Sequence, residues 1–148
     1  MSERINPPFE RTTCACEKCV ACCKQQPGPL IPGDADRIAE HLGITLGEVK
    51  NLLWASPGAL ARRGNQTVSI KTITPRMVKG RCVFLDAKDR CTIHPVAPFG
   101  CAYSDVHQSR PEAMSRSMWG HWMIENSDEY KRLRASLMLA TNYKPRAY

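Results

Sequence analysis

Apolar residues recur at helical spacing from Asp34 to Leu42. Ala35, Ile38, Ala39 and Leu42 share one face, which predicts a helix capped by Asp34 and stopped by Gly43. Thr45-Leu-Gly-Glu48 has the form of a capping box. A second helix is expected there, with Leu46, Val49, Leu52 and Leu53 as its buried stripe and Ser56-Pro57-Gly58 as its end. From Thr67 the period changes to two: Val68, Ile70 and Thr72 alternate with Ser69 and Lys71, so a sheet is expected to begin here, with a further strand at Met77-Val78. Cys82 to Leu85, the polar turn Asp86 to Arg90, and Cys91 to Ile93 predict a β-hairpin with a cysteine in each arm. Pro95 and Pro98 stiffen the approach to Cys101, because proline fixes φ and restricts the residue before it. Ser127-Asp-Glu opens a last helix in which Tyr130, Leu133, Leu137 and Ala140 share a face.

These elements imply a small single α+β domain, with helices packed around a cysteine-rich turn and a short antiparallel hairpin. Its expected bounds are 14–141, after a polar, extended lead-in over 1–13 and before a frayed tail over 142–148. A chain of 148 residues with 43% hydrophobic content can bury an adequate core without metals or disulfides. Its eight cysteines therefore need a separate explanation. No apolar run approaches a membrane span, and the start lacks the apolar stretch of a secretory signal, so a soluble, cytoplasmic protein is expected. In that reducing compartment crowded thiols are more often metal ligands or redox groups than disulfide partners.

The net charge of +7 is concentrated in one segment. Between Val49 and Leu85 there is no acid, while Lys50, Arg62, Arg63, Lys71, Arg76, Lys79 and Arg81 are all present. Trp54 is the only aromatic interleaved with these cations, so a solvated face is favoured over a nucleic-acid groove.

The cysteines carry the chemistry. Cys14-Ala-Cys16-Glu-Lys-Cys19-Val-Ala-Cys22-Cys23 contains Cys-x-x-Cys-x-x-Cys-Cys from 16 to 23. Thiols three residues apart in a tight turn can converge on one point, as the Cys-x-x-Cys-x-x-Cys run of bacterial ferredoxins does on a [4Fe-4S] cube. The ferredoxin ending with Cys-Pro is absent, so a fourth thiolate must come from Cys82, Cys91 or Cys101. Adjacent side chains in an extended or turn backbone tend to point in different directions, so one of Cys22 and Cys23 is expected to pack as an apolar residue or to serve another centre. One centre with spare thiols is favoured over two full ones. Zn2+ is the alternative, although the second Cys-x-x-Cys knuckle of a zinc ribbon is missing; Cys82 and Cys91 across a hairpin, with His94, could replace it.

The same run, the segment Ile31-Pro-Gly-Asp34 through Gly43, Gly80-x-Cys82-x-Phe-Leu85, Cys91-x-Ile93 and Pro98-x-x-Cys101 together resemble the YkgJ-type cysteine-cluster family, described as a zinc- or iron-chelating domain. The resemblance covers about residues 14 to 104. It implies a metal-binding domain, often described as containing an iron-sulfur cluster, with Cys16, Cys19, Cys22, Cys23, Cys82, Cys91 and Cys101 matching the family's cysteines. Cys14 lies outside that pattern. Where family members commonly carry a tyrosine after the Cys-x-Ile step and arginines flanking the final cysteine motif, this chain has His94, Ala97 and Ala102.

His94 is read as a polar surface residue, and His41, His107 and His121 as structural or surface residues rather than ligands. Met118, Trp119, Trp122 and Met123 are expected to form core under the last helix. No phosphate loop, dinucleotide fingerprint, serine triad or paired-carboxylate signature occurs, and no catalytic residue is nominated. The expectation is a metalloprotein with a [4Fe-4S] cluster in a redox or electron-transfer role, served by a redox or protein partner. A zinc-stabilised interaction module and a metal-delivery protein are the alternatives.

Overall fold

The computed structural model describes residues 5–12, 27–63, 65–103 and 107–140. The tail over 142–148 lies outside the described residues.

Helix α1 spans Asp34–Leu42 and ends on Gly43, whose φ of 68° lets its N–H reach the carbonyls of Ala39 and Glu40. Ala35, Ile38 and Ala39 are buried, as their spacing requires. The cap differs from expectation. Gly33, at φ 92°, holds the N-cap position, and Asp34 is the first helical residue. The Asp34 carboxylate is engaged elsewhere, which is why it does not close its own helix: Oδ2 accepts the N–H groups of Ile31 and Phe99, each at 3.0 Å.

Helix α2, Leu46–Val49, has the full Thr45/Glu48 capping box but lasts four residues before a 3-10 turn over Lys50–Leu52. The longer helix expected here is absent. Leu53 already belongs to strand β1, Leu53–Arg63, which runs antiparallel to β2, Gln66–Pro75, from the pair Leu53↔Pro75 to Arg63↔Gln66. The sheet thus begins before Thr67, and Ser56-Pro57-Gly58 lies inside a strand instead of ending a helix. A register shift between Ser56 and Ala59 absorbs the Pro-Gly pair as a bulge. Gly58 sits at φ 120°, and a Cβ there would come 2.2 Å from the Ile70 carbonyl oxygen.

A second, short antiparallel pair joins β3, Met77–Val78, to β4, Arg81–Cys82. Lys79 and Gly80 between them have φ of 52° and 76°, the signature of a two-residue turn that matches strand twist. The strand partner of Cys82 is therefore Met77 and not the segment of Cys91. The expected Cys82–Ile93 hairpin reduces to a loop closed by the single bridge Leu85↔Cys91 and by Thr92 N–H donating to the Phe84 carbonyl at 2.8 Å. Asp86 satisfies the turn by accepting the N–H groups of Lys88 and Arg90; these contacts, Arg90 foremost, hold its carboxyl below the usual range.

Three further helices follow: α3, Phe99–Ala102, α4, Arg110–Glu125, and α5, Asp128–Ala135. Ser127 caps α5 as expected, accepting the Tyr130 N–H at 3.1 Å. The Tyr130 hydroxyl donates to the Leu30 carbonyl at 2.8 Å and accepts the Ile73 N–H at 2.7 Å. It thereby ties α5 to β2 and to the segment before α1. Arg134 donates to the Thr72 and Ser56 carbonyls and clamps α5 onto the hairpin. Beyond Ala135 the chain extends instead of remaining helical, and Leu139 bridges in parallel to Ala55. Leu137 is buried, but Leu137 and Ala140 lie past the helix that was expected to carry them.

Helix α4 has no counterpart among the expected elements. Its apolar pattern has no single face: His121 and Ile124 are buried, while Met118 and Trp122 are 61% and 62% exposed. Those two side chains are not core. Trp119 does pack inward, its ring 5.3 Å from that of Phe99 and 5.7 Å from that of Phe9.

Candidate metal centre

Cys101 sits half-buried in α3, following Pro98 at the helix start. Its Sγ accepts the backbone N–H of Gly28 at 3.1 Å. In the reverse direction, Gly100 N–H donates to the Pro29 carbonyl at 3.0 Å; Thr12 N–H, like that of Gly28, donates into the turn, to the Ala102 carbonyl at 2.7 Å. Thr12 and Gly28 flank the segment that carries Cys14, Cys16, Cys19, Cys22 and Cys23. The chain is therefore fastened to the Cys101 turn both before and after that run.

Asp34 reinforces the junction from below. It is buried, and burial pushes its carboxyl up to about 6, against the opposing pull of the Ile31 and Phe99 N–H groups and of Arg37. Arg37 pairs with Asp34 Oδ1 at 2.8 Å and also donates to the Ile5 carbonyl.

Two cations approach the same turn from elsewhere in the chain. Arg11 donates to the His94 carbonyl at 2.7 Å and lies over the Tyr103 ring at 5.8 Å. Arg116 donates to the carbonyls of Glu10 at 2.8 Å and Tyr103 at 3.0 Å, pairs with Glu112 at 2.9 Å, and lies over the Phe9 ring at 5.2 Å. Positive charge thus flanks α3 although Ala97 and Ala102 within this stretch carry none. These contacts also make residues 5–12 a strap over α4 and α3, which the polar lead-in did not suggest.

Cys16, Cys19, Cys22 and Cys23, with Cys14, lie outside the described residues. Cys82 is buried within the core at the end of β4, and Cys91 is half-buried in the Leu85 bridge. Among the described residues no three His, Cys, Asp or Glu side chains are grouped to hold a metal ion, so Cys82, Cys91, Cys101 and His94 do not make a site by themselves. His94 is exposed, as expected of a surface residue, and so are His41 and His107; His121 is buried with Nε2 3.5 Å from the Ser117 hydroxyl. The residues that sequence reasoning missed are Gly28, Gly100 and Asp34. Gly28 and Gly100 stand next to proline and cysteine in the sequence, and that was the available signal.

The basic segment is partly spent inside the fold. Arg76 donates to the Leu53 carbonyl at 2.8 Å, and Arg81 pairs with Asp89 at 2.6 Å while donating to the Asp86 carbonyl. Lys71 and Lys79 are exposed.

The sulfur of Cys101 is itself a donor of the kind a thiophilic metal takes. A main-chain N–H aimed at sulfur favours thiolate over thiol, because sulfur accepts hydrogen bonds far better when charged. Helices on an antiparallel hairpin, with a dense cysteine run in a segment whose flanking residues Thr12 and Gly28 bond to the turn of a further cysteine, define a cysteine-cluster metal-binding domain. The chain belongs to the CxxCxxCC family, described as a "putative zinc- or iron-chelating domain", whose match covers residues 15–130. No curated protein and no solved structure matches it at a significant level. Among the described residues no helix is long and apolar enough to cross a membrane.

Proposed function

We propose that the chain carries a [4Fe-4S] cluster and works in electron transfer or cluster-dependent redox chemistry, in the reducing cytoplasm and with a redox protein as its partner. Cys16, Cys19 and one of the Cys22–Cys23 pair would supply three thiolates, and Cys101 the fourth. A cluster bound there supplies one-electron transfer at a potential that hydrogen bonds to sulfur and local charge adjust.

One observation carries this reading. The chain enters the cysteine segment at Thr12 and leaves it at Gly28, and both residues are hydrogen-bonded to the turn of Cys101. Closing the loop at Thr12 and Gly28 beforehand lowers the entropic cost of forming a centre that joins its thiols to Cys101. The nearby Arg11 and Arg116 offset the negative charge of a four-thiolate cluster.

The test is elemental analysis and visible absorption on chain purified without oxygen, before and after dithionite. Iron and sulfide each near about four per chain, with a brown band that dithionite bleaches, are expected of such a centre. Colourless protein holding zinc would overturn the cluster and leave a zinc-stabilised interaction module.

A further inference from the structure

Gly28 and Gly100 meet so closely that neither position has space for a side chain. A Cβ on Gly28 would lie 2.2 Å from the Gly100 carbonyl carbon and 2.5 Å from the Cys101 nitrogen; one on Gly100 would lie 2.3 Å from Pro29 Cδ and 2.7 Å from Gly28 Cα. Neither residue is among the glycines of positive φ, so the requirement is space and not backbone conformation. Two main chains are in direct contact here.

We infer that Gly28 and Gly100 are positioning residues of the metal centre, acting through Cys101 by holding its sulfur beneath the Gly28 N–H. The inference rests on the reading of Cys101 as a metal thiolate. Three observations carry it. The contact is not needed to join the two segments, because Asp34 already binds the N–H groups of Ile31 and Phe99 on either side. Of the two main-chain N–H groups exchanged across the contact, Gly100 donates to a carbonyl in the ordinary way, but Gly28 donates to sulfur. Such a bond gains strength when the sulfur is charged, as a metal-bound thiolate is. Finally, Gly28 follows Cys23 by five positions in the sequence, so the residue that touches Cys101 stands on the same stretch of chain as the cysteine run. The pair therefore sets both the place of Cys101 and the electron density at its sulfur, the two things an outer-shell group can do for a metal ligand.

The experiment uses the full metal-loaded chain and compares wild type with Gly28→Ala, Gly100→Ala, Cys101→Ser and the control Gly47→Ala. The nearest atom to a Cβ on Gly47 is Thr45 Oγ1 at 3.7 Å, so that variant should behave as wild type. Metal release to a chelator is expected to accelerate by about 10- to 100-fold in the Gly28 and Gly100 variants, the usual cost of losing an outer-shell partner, with far-UV circular dichroism unchanged. A second measurement reads the hydrogen bond itself. In wild-type chain labelled with 15N-glycine, pulsed EPR of the reduced cluster should show a 15N coupling that Gly28→Ala loses; for a zinc protein, cadmium-113 substitution should show coupling from that sulfur's metal to the Gly28 N–H.

Wild-type release rates in both alanine variants, or no glycine coupling in wild type, would overturn the inference. Cys101→Ser separates its failure from that of the functional reading. Full metal retention in that variant overturns the assignment of Cys101 itself, whereas metal loss there beside wild-type release from Gly28→Ala and Gly100→Ala overturns the glycines alone.

Discussion

Asp34 Oδ2 accepts the Phe99 N–H at 3.0 Å across 65 positions of sequence, and the same oxygen accepts the Ile31 N–H. One buried carboxylate thus joins the start of α1 to the turn that carries Cys101. It is the hinge pin on which the candidate centre hangs.

That placement has a pH consequence. Burial raises the Asp34 carboxyl from 3.8 to about 6 in the folded chain, so the folded state holds its proton more tightly than the unfolded state does. The contribution is fully present below pH 3.8 and is lost as pH rises through about 6, a change of ~3 kcal/mol at 1.36 kcal/mol per unit. Asn at this position keeps an acceptor for both N–H groups and cannot titrate. The difference in unfolding free energy between wild type and Asp34→Asn, measured with urea from pH 4 to 7, should fall across this window. A difference independent of pH would refute the assignment.

Tyr130 makes a second long-range tie. Removing its hydroxyl leaves the Ile73 N–H and one Leu30 lone pair without that partner in a buried setting. Each orphaned group costs about 1–3 kcal/mol, so Tyr130→Phe should destabilise the chain by about 2–4 kcal/mol with an unchanged urea m-value. A loss below about 0.5 kcal/mol would show that water or a neighbour replaces the hydroxyl.

The bulge in β1 offers a third check. Gly58 stands at φ 120°, and a Cβ added there would meet the Ile70 carbonyl oxygen at 2.2 Å, so Gly58→Ala is strained in both conformation and space. A cost of about 1–3 kcal/mol is expected from the backbone alone. Gly47→Ala, in an open helical position, should be neutral or slightly stabilising, and thermal unfolding of the two variants side by side measures the contrast.

What could be read in advance follows from the range of the interactions. The end of α1 and the start of α2 were legible because Gly43 and the Thr45/Glu48 box act within a few residues. The β1 strand was not, because Ser56-Pro57-Gly58 has the local chemistry of a break, and only pairing with β2 turns it into a bulge. Helix α4 escaped notice because it buries His121 and exposes Trp122, which erases the periodic face that marks a helix. At the candidate centre, the spacing of the cysteine run and the presence of Cys101 were plain in the sequence. The contact that joins the end of that run to Cys101 was not, since Gly28 and Cys101 are 73 positions apart and their meeting depends on two absent side chains.

The ligand assignment itself separates three cysteines. Cys19 is the middle member of the Cys16-x-x-Cys19-x-x-Cys22 run, and Cys101 accepts the Gly28 N–H, so on the proposed ligand set serine at either position would remove one of four thiolates. Serine is a poor ligand for a thiophilic metal, and a three-thiolate remainder should lose it. Cys14 stands outside the motif, two residues beyond Thr12 and its bond to Ala102. Cys19→Ser and Cys101→Ser are therefore expected to purify without metal, and Cys14→Ser with the wild-type content, as measured by elemental analysis of anaerobically purified chain. Wild-type metal in either of the first two variants would sink the assignment, and loss of metal from Cys14→Ser would move the ligand set one cysteine toward the N-terminus.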